Sequence, residues 1–206
     1  MHEYWGPENI LNQATEWFCP KKFKLADLSY NLLVPDLYRG NLVEDFKRSQ
    51  NYILTTKPDV MGAMEDVKST VKFAKDKLKA TKVGIVGLSM GGALAMCAGL
   101  HVEGIECAVS FYGIIPDRLA LLKDVKIPMQ YHFGDKDALR GFTTPKEVNL
   151  LKEKLEKWNN SNHEIFMYEN ARHSFANEST SESYNDKVTQ IAKSNMFPFL
   201  ERHLKT

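Results

Sequence analysis

The stretch "VGIVGLSMGGALAMC", from Val83 to Cys97, places one serine between glycines at the end of an apolar run. Glycine weakens helices and strands alike, so its repeated use here indicates backbone positions that no larger residue permits. The residues "KVGIVG" (82–87) read as a strand and "GALAMCAGLH" (92–101) as a helix. The stretch therefore predicts a strand, a tight turn that carries Ser89, and a helix.

The composition indicates an ordinary globular chain. Its 206 residues suit a single domain spanning 1–206. Lys and Arg number 27 against 26 acidic residues, and a net charge of +1 gives no field that would attract nucleic acid or an anionic membrane. No apolar run reaches membrane-spanning length, and the three cysteines lack metal or redox spacing. We expect a cytoplasmic protein, a monomer or weak homodimer, with neither nucleic acid nor membrane as a partner.

Short apolar runs alternate with segments of helical period along the chain. Residues 10–18 contain one helical face, and a helix is predicted between about Val60 and Ala80. Strand predictions, besides that at 82–87, fall on "YNLLV" (30–34), "ECAVSFYG" (106–113), "IPMQYHFG" (127–134) and "HEIFMYE" (163–169). This alternation predicts an α/β fold with a mostly parallel, doubly wound sheet covered by helices on both faces.

Two helices near the end of the chain have readable boundaries. Thr144-Pro145-Lys146-Glu147 matches a capping box with proline at the first helical position. A helical pattern from Tyr184 closes the chain, and Pro198 is expected to kink or split that helix.

The segment Gly87–Gly91 matches G-x-S-x-G between a predicted strand and a predicted helix, which is the context of a nucleophile elbow. In such a turn the serine adopts strained dihedrals, so that the Ser89 hydroxyl projects into a crevice and the Met90 amide points at an oxyanion. The alternative is a glycine-rich turn that binds phosphate or only packs tightly. Neither G-x-x-x-x-G-K-[ST] nor G-x-G-x-x-G is present, which favours the nucleophile.

A serine nucleophile needs a base, and the base needs an acid that orients it. Asp135 and Asp137 both follow the strand predicted at 127–134, and His173 lies in a loop after the last predicted strand. Serine, acid and histidine in this order, each at a strand end, is the order of α/β hydrolases. The spacing alone leaves both acids as candidates.

Six pieces of the chain carry a family resemblance: "HEYWG" (2–6), "VPDLYRG" (34–40), "GLSMGG" (87–92), "SFYG" (110–113), "HFGDKD" (132–137) and "YENARHSFAN" (168–177). Together, in this order, the pieces resemble the dienelactone hydrolase (carboxymethylenebutenolidase-like) family of α/β hydrolases nearly end to end. The resemblance implies that Ser89 is the nucleophile, His173 the base and Asp137, ahead of Asp135, the acid.

The resemblance implies further roles near the nucleophile. The Tyr4 amide would be the second oxyanion donor beside Met90, and Glu3 would interact with the nucleophile. Tyr38 and Tyr112 match aromatic positions near the substrate pocket, although amphipathic tyrosines also occur simply at the edge of a core. An N-terminal glutamate without any role is the corresponding alternative for Glu3.

Three departures from the family pattern bear on function. Serine stands at position 89 where the founding enzymes have cysteine, so general-base help from His173 becomes necessary. Asn177 stands where lactone-cleaving members carry an arginine that binds the substrate carboxylate, which favours neutral substrates; the alternative is that Arg172 or Arg48 supplies the positive charge instead. The family also has strands before the turn that contains Glu3. We therefore expect the sheet to lack its first N-terminal strands, equivalent to about 25–35 further residues upstream in the native gene.

The predicted function is serine-dependent hydrolysis of small carboxylic esters or lactones, without a metal or cofactor. A thioesterase or a peptidase that uses the same triad is the alternative among enzymes. A catalytically inactive, hydrolase-like binding protein is the alternative outside them.

Overall fold

The computed structural model describes residues 13–14, 16–18, 30–37, 57–158, 162–180 and 182–205. A short 3-10 turn, Leu122–Asp124, precedes the third strand. The helices and strands of the described residues are, in chain order, α1 (Lys57–Asp76), β1 (Gly84–Leu88), α2 (Met90–His101), β2 (Cys107–Phe111), β3 (Met129–Gly134), α3 (Pro145–Lys157), β4 (His163–Tyr168) and α4 (Asp186–Leu204).

The four strands form one parallel sheet in the order β1-β2-β3-β4. Leu88 at the end of β1 lies beside Phe111, and Phe111 lies beside His132 of β3. Gly134 at the end of β3 lies beside Tyr168 at the end of β4. The carboxyl ends of the strands therefore meet at one edge of the sheet, which is where open α/β sheets bind ligands. The predicted α/β fold with a parallel sheet is confirmed.

Helices cover both faces of this sheet, because alternate strand residues point to opposite sides. On one face α1, α2 and α3 bury an apolar core that includes Val67, Leu94, Met129 and Leu151. On the other face α4 and the helical residues 16–18 bury a second core around Phe111 and Phe199. In the part of the chain that the structure describes, no helix is long and apolar enough to cross a membrane.

Two glycines explain how β1 and α2 pack so closely. A Cβ atom at Gly87 would lie 1.9 Å from the carbonyl oxygen of Gly91. A Cβ atom at Gly92 would lie 2.6 Å from the Ser110 Oγ and 2.8 Å from the Phe111 carbonyl oxygen. Both separations are far shorter than van der Waals contact, so only glycine allows this turn and this approach of α2 to the sheet.

The strand predicted at 30–34 is wrong, because residues 30–36 have no regular secondary structure. Tyr30 and Val34 instead pack against the second core, and the Tyr30 ring lies 6.3 Å from the Phe18 ring. Side-chain burial, without a ladder of backbone hydrogen bonds, accounts for the apolar character of this run.

The sequence predicts that Pro198 kinks or splits the last helix; the split is wrong, since α4 runs from Asp186 to Leu204 without a break. Proline removes one backbone N–H from the helix. Pro198 is exposed, whereas its neighbours Met196, Phe199 and Leu200 are buried in the second core. Packing on both sides of the proline holds the helix together.

Candidate active site

Ser89 occupies a strained turn between β1 and α2. Its backbone has φ 53° and ψ −117°, in the left-handed half of φ space that disfavours side chains. The Ser89 amide donates to the carbonyl of Phe111 (2.9 Å), and the Ser89 carbonyl accepts from the amide of Ala93 (3.1 Å). The hydroxyl makes no cap to α2; it lies 2.9 Å from Nε2 of His173. Secondary structure on both sides thus fixes the serine with its hydroxyl directed at the histidine.

His173 lies in the loop that follows β4. Its ring packs edge-on against Tyr112, with 5.1 Å between ring centroids, and lies 6.2 Å from the ring of Phe142. The side chain is 23% exposed, so the ring is reachable while its orientation is held. Nε2 accepts the proton of the Ser89 hydroxyl, which assigns the hydrogen of the neutral ring to Nδ1.

The Asp137 carboxylate accepts a hydrogen bond from that N–H group. Its Oδ2 lies 2.7 Å from Nδ1 of His173, and its side chain is fully buried. Oδ2 also accepts the Thr143 hydroxyl (2.8 Å), and Oδ1 accepts the Leu139 amide (2.9 Å). Three donors therefore compensate the loss of water around this buried carboxylate.

The structure distinguishes the two acids that the sequence left open. The Asp135 carboxylate pairs with Lys136, at 3.5 Å between Oδ2 and Nζ. Its neighbour Asp137 is the one hydrogen-bonded to His173. Of the two carboxylates, the one of Asp137 is thus placed to orient His173, and its role as the acid stays a prediction.

The other predicted site residues fall into three groups. Tyr112 is buried and contacts the His173 ring, while Met90 is the buried first residue of α2, directly after Ser89. Asn177 is buried too, and its side-chain oxygen accepts the amide of Ser179 (2.9 Å), so it holds a turn beyond the histidine loop. The remaining three lie outside the described residues: Glu3, Tyr4 and Tyr38.

Two residues that the sequence reasoning missed, Phe142 and Thr143, lie beside the histidine. Both precede the predicted helix start at Thr144. The capping box there forms differently from the prediction, because the Thr144 hydroxyl donates to the Glu147 carboxylate and makes no bond to the helix backbone. That hydrogen bond, aided by the Gly141 amide, lowers the pKa of Glu147.

His132 is a second histidine near the strand ends, and its environment differs from that of His173. It is fully buried and stacks between the rings of Phe111 (4.4 Å) and Phe166 (5.5 Å). Its Nε2 donates to Gln130 Oε1 (2.8 Å), and its Nδ1 accepts from the Tyr168 hydroxyl (2.7 Å). Burial lowers the pKa of His132 from 6.5 to about 3. The ring is therefore neutral at pH 7 and belongs to the core.

A cavity in the described part of the chain lies away from these side chains. It has a volume of about 450 Å³ and lies between β1, α1 and the segment 30–35. Ser89, Asp137 and His173 do not line it. No group of three or more His, Cys, Asp or Glu placed to hold a metal ion occurs within the described part of the chain.

The parallel sheet, with a serine held in a strained turn at its carboxyl edge, defines an α/β hydrolase. Solved structures agree at the level of fold. A dienelactone hydrolase-like promiscuous phosphotriesterase from metagenomic libraries superposes with a TM-score of 0.75 at 16% identity, over 98% of this chain and 84% of its own. An esterase from Pyrococcus furiosus gives a TM-score of 0.67 at 21% identity, over 99% and 81% of the two chains.

Within this class, the model of the dienelactone hydrolase family matches residues 1–204, and the chain belongs to that family. The carboxymethylenebutenolidase of Pseudomonas putida is 27% identical over 207 residues, which are 96% of this chain and 82% of that protein. Protein usf of Aquifex pyrophilus is 26% identical over 210 residues, 99% of this chain and 87% of its own length. The family resemblance expected from the sequence is confirmed.

Proposed function

We propose that this hydrolase uses Ser89 to cleave small carboxylic esters or lactones. The observation that carries the proposal is the continuous chain of hydrogen bonds from Ser89 Oγ through His173 to Asp137 Oδ2, at 2.9 and 2.7 Å. Nucleophile, base and acid are thus each within the distance that proton transfer and orientation require. Membership of the dienelactone hydrolase family supports the same class of substrate.

In the acylation step, Nε2 of His173 takes the hydroxyl proton as Ser89 Oγ attacks the carbonyl carbon of the substrate. The Asp137 carboxylate stabilises the imidazolium that forms. The Met90 amide, together with the Tyr4 amide that the family resemblance implies, stabilises the oxyanion. When the carbon–oxygen bond breaks, His173 returns the proton to the leaving alkoxide and the acyl group remains on Ser89.

In the deacylation step, His173 takes a proton from water, and the resulting hydroxide attacks the acyl carbon. The proton then returns to Ser89 Oγ, which leaves as the alcohol, and the carboxylic acid departs. In a lactone the alcohol and the acid belong to one molecule, so a hydroxy acid is released as a single product.

The side chains near the base favour neutral substrates. Tyr112 and Phe142 present aromatic rings to His173. Asn177 is buried and engaged with Ser179, so it supplies neither a positive charge nor a bidentate donor. A hydrogen bond to a charged group contributes about 1.5–3 kcal/mol, or roughly ten- to a hundredfold in affinity. We propose that neutral esters and lactones are cleaved at least as efficiently as lactones that carry a carboxylate.

The experiment compares four substrates under the same conditions: a nitrophenyl acetate, a neutral lactone, an acyl thioester and a peptide anilide. We expect turnover of the first two, and loss of that turnover in Ser89→Ala. A kcat/KM that is highest for the thioester or for the anilide would instead identify the corresponding alternative. Failure to cleave any of the four would favour an inactive binding protein.

A further inference from the structure

The hydroxyl of Thr143 joins the acid to the base. Thr143 is fully buried, and its Oγ1 lies 2.8 Å from Asp137 Oδ2 and 3.2 Å from Nδ1 of His173. The carboxylate oxygen can only accept, so the threonine proton is donated to Asp137. A lone pair of the same Oγ1 then faces the N–H of His173. Acid, base and threonine thus form a closed triangle of hydrogen bonds.

We propose that Thr143 is a positioning residue of this hydrolase; the inference rests on the proposed function of Ser89, His173 and Asp137. The bond from Thr143 and the bond from the Leu139 amide hold different oxygens of Asp137, so together they fix the rotation of the carboxylate. The lone pair of Oγ1 holds the plane of the imidazole ring. When the ring gains a second proton during acylation, its Nδ1–H still has two acceptors in place.

The backbone around Thr143 is braced on both sides. The amides of Phe142 and Thr143 donate to the carbonyl of Leu139, at 3.2 and 3.1 Å. Glu147 in the first turn of α3 accepts the amide of Gly141 (3.2 Å) and the hydroxyl of Thr144. Residues on either side of Thr143 are therefore tied to the start of a helix, which places its hydroxyl with little freedom to move.

The test is Thr143→Val, which keeps the branched shape and removes the hydroxyl. We expect kcat for nitrophenyl acetate to fall about ten- to a hundredfold, the effect of one hydrogen bond to a charged group, with KM within about twofold. Thr143→Ser keeps the hydroxyl and should restore most of kcat. Thr189→Val is the matched control: it removes another fully buried hydroxyl, bonded to the Phe175 carbonyl, and should leave kcat unchanged.

Reaction of each variant with a fluorophosphonate separates this inference from the proposed function. If wild-type protein is not labelled at Ser89, the proposed function and this inference both fail. If wild type is labelled and Thr143→Val is labelled at the same rate, the inference alone fails. Should Thr143→Val not fold, Thr143→Ala takes its place, with kcat normalised to the folded fraction. A serine variant no more active than the valine or alanine variant, or an equal loss in Thr189→Val, would also overturn the inference.

Discussion

Three residues at the candidate site share an uncommon backbone conformation. Ser89 has φ 53°, Tyr112 has φ 39°, and Ser174, directly after His173, has φ 62°. A positive φ at a residue with a side chain costs about 1–3 kcal/mol, and packing of the surroundings has to offset it. Ser89 is the proposed nucleophile, the Tyr112 ring contacts His173, and Ser174 is the residue that follows His173. Of the five such residues in the described part of the chain, three therefore lie at the candidate site; the other two are Lys79 and Asn170.

The two acids of the loop after β3 give a prediction at the residue scale. Asp137→Asn should lower kcat for a nitrophenyl ester by about three to four orders of magnitude, because an asparagine favours the wrong histidine tautomer. Asp135→Asn is the matched control, with the same change two residues away, and should stay within about threefold, since the partly buried Asp135 carboxylate pairs with Lys136, whereas Asp137 is the one hydrogen-bonded to His173. Similar losses of kcat in both variants would contradict the assignment.

The turn that carries Ser89 could be predicted from the sequence, whereas the contact of Thr143 with Asp137 could not. The position of Ser89 follows from a local pattern, because Gly87 and Gly92, which allow the turn, lie two residues before it and three residues after it in the sequence. The role of Thr143 depends on how a loop without secondary structure folds back onto Asp137, and no local pattern encodes that contact. Asn177 is a second example. Its position matches an arginine of the family, but the sequence does not show that its side chain accepts a hydrogen bond from the Ser179 amide.

Helices could be predicted from the sequence where apolar residues recur every three or four positions over several helical turns. Helix α1 was expected between about Val60 and Ala80 and is found from Lys57 to Asp76. The strand predicted at 30–34 is absent, because an apolar run alone does not distinguish side-chain burial from strand pairing. The split predicted at Pro198 is absent too, because a proline rule based on local preference leaves out the packing of the helix. In both cases tertiary contacts decide what local preference leaves open.

Pro198 gives the prediction at the scale of elements. It is an exposed proline inside the continuous helix α4, where it removes one backbone N–H. Pro198→Ala should restore the hydrogen bond to the carbonyl of Ser194 and raise the free energy of unfolding by about 1–3 kcal/mol. Urea denaturation measures this change. Lys187→Ala, an exposed site in the same helix, should change it by less than about 0.5 kcal/mol. Lower stability of Pro198→Ala would show that α4 needs the proline geometry.

On the scale of the whole molecule, a buried polar network ties the sheet to its covering helix. Gln130 of β3 accepts from His132 and donates to the Glu164 carboxylate (2.7 Å). Tyr168 of β4 donates to His132 and accepts from the side chain of Asn195 in α4 (3.2 Å). In the neutral ring one nitrogen donates and the other accepts; a second proton on Nδ1 would meet the hydroxyl hydrogen of Tyr168 and require this hydroxyl to turn. The network therefore makes the packing of α4 on the sheet sensitive to acid.

Two buried or half-buried histidines, His132 in this network and His163 at the start of β4, predict a dependence of stability on pH. Burial lowers the pKa of His132 to about 3 and that of His163 to about 4, both from 6.5. Because both values are lower in the folded state, the unfolded chain binds more protons below pH 6.5. Stability is therefore complete above pH 6.5 and is lost as the pH falls from there towards 3–4. Between pH 7.5 and 5 the free energy of unfolding should fall by about 1–2 kcal/mol for each histidine.

Urea denaturation of His132→Phe at the two pH values tests this dependence. The phenylalanine keeps the ring stack but leaves Gln130 and Tyr168 each without one hydrogen bond, so we expect a loss of about 1–3 kcal/mol at pH 7.5. The further decrease between pH 7.5 and 5 should be smaller than in the wild type by the contribution of one histidine. An unchanged decrease would show that His132 does not control the acid response.

The most direct test of the central claim is labelling of the purified protein with a fluorophosphonate, followed by mass spectrometry of its peptides. An activated serine displaces fluoride and keeps the phosphonyl group, whereas an ordinary serine does not react. We predict one label per chain, on Ser89, with Ser89→Ala unlabelled and His173→Ala labelled at least a hundredfold more slowly, since general-base help contributes about 10²–10⁴-fold. No label on Ser89 of folded wild-type protein, or equally fast labelling of His173→Ala, would contradict the claim that these residues form a working hydrolase.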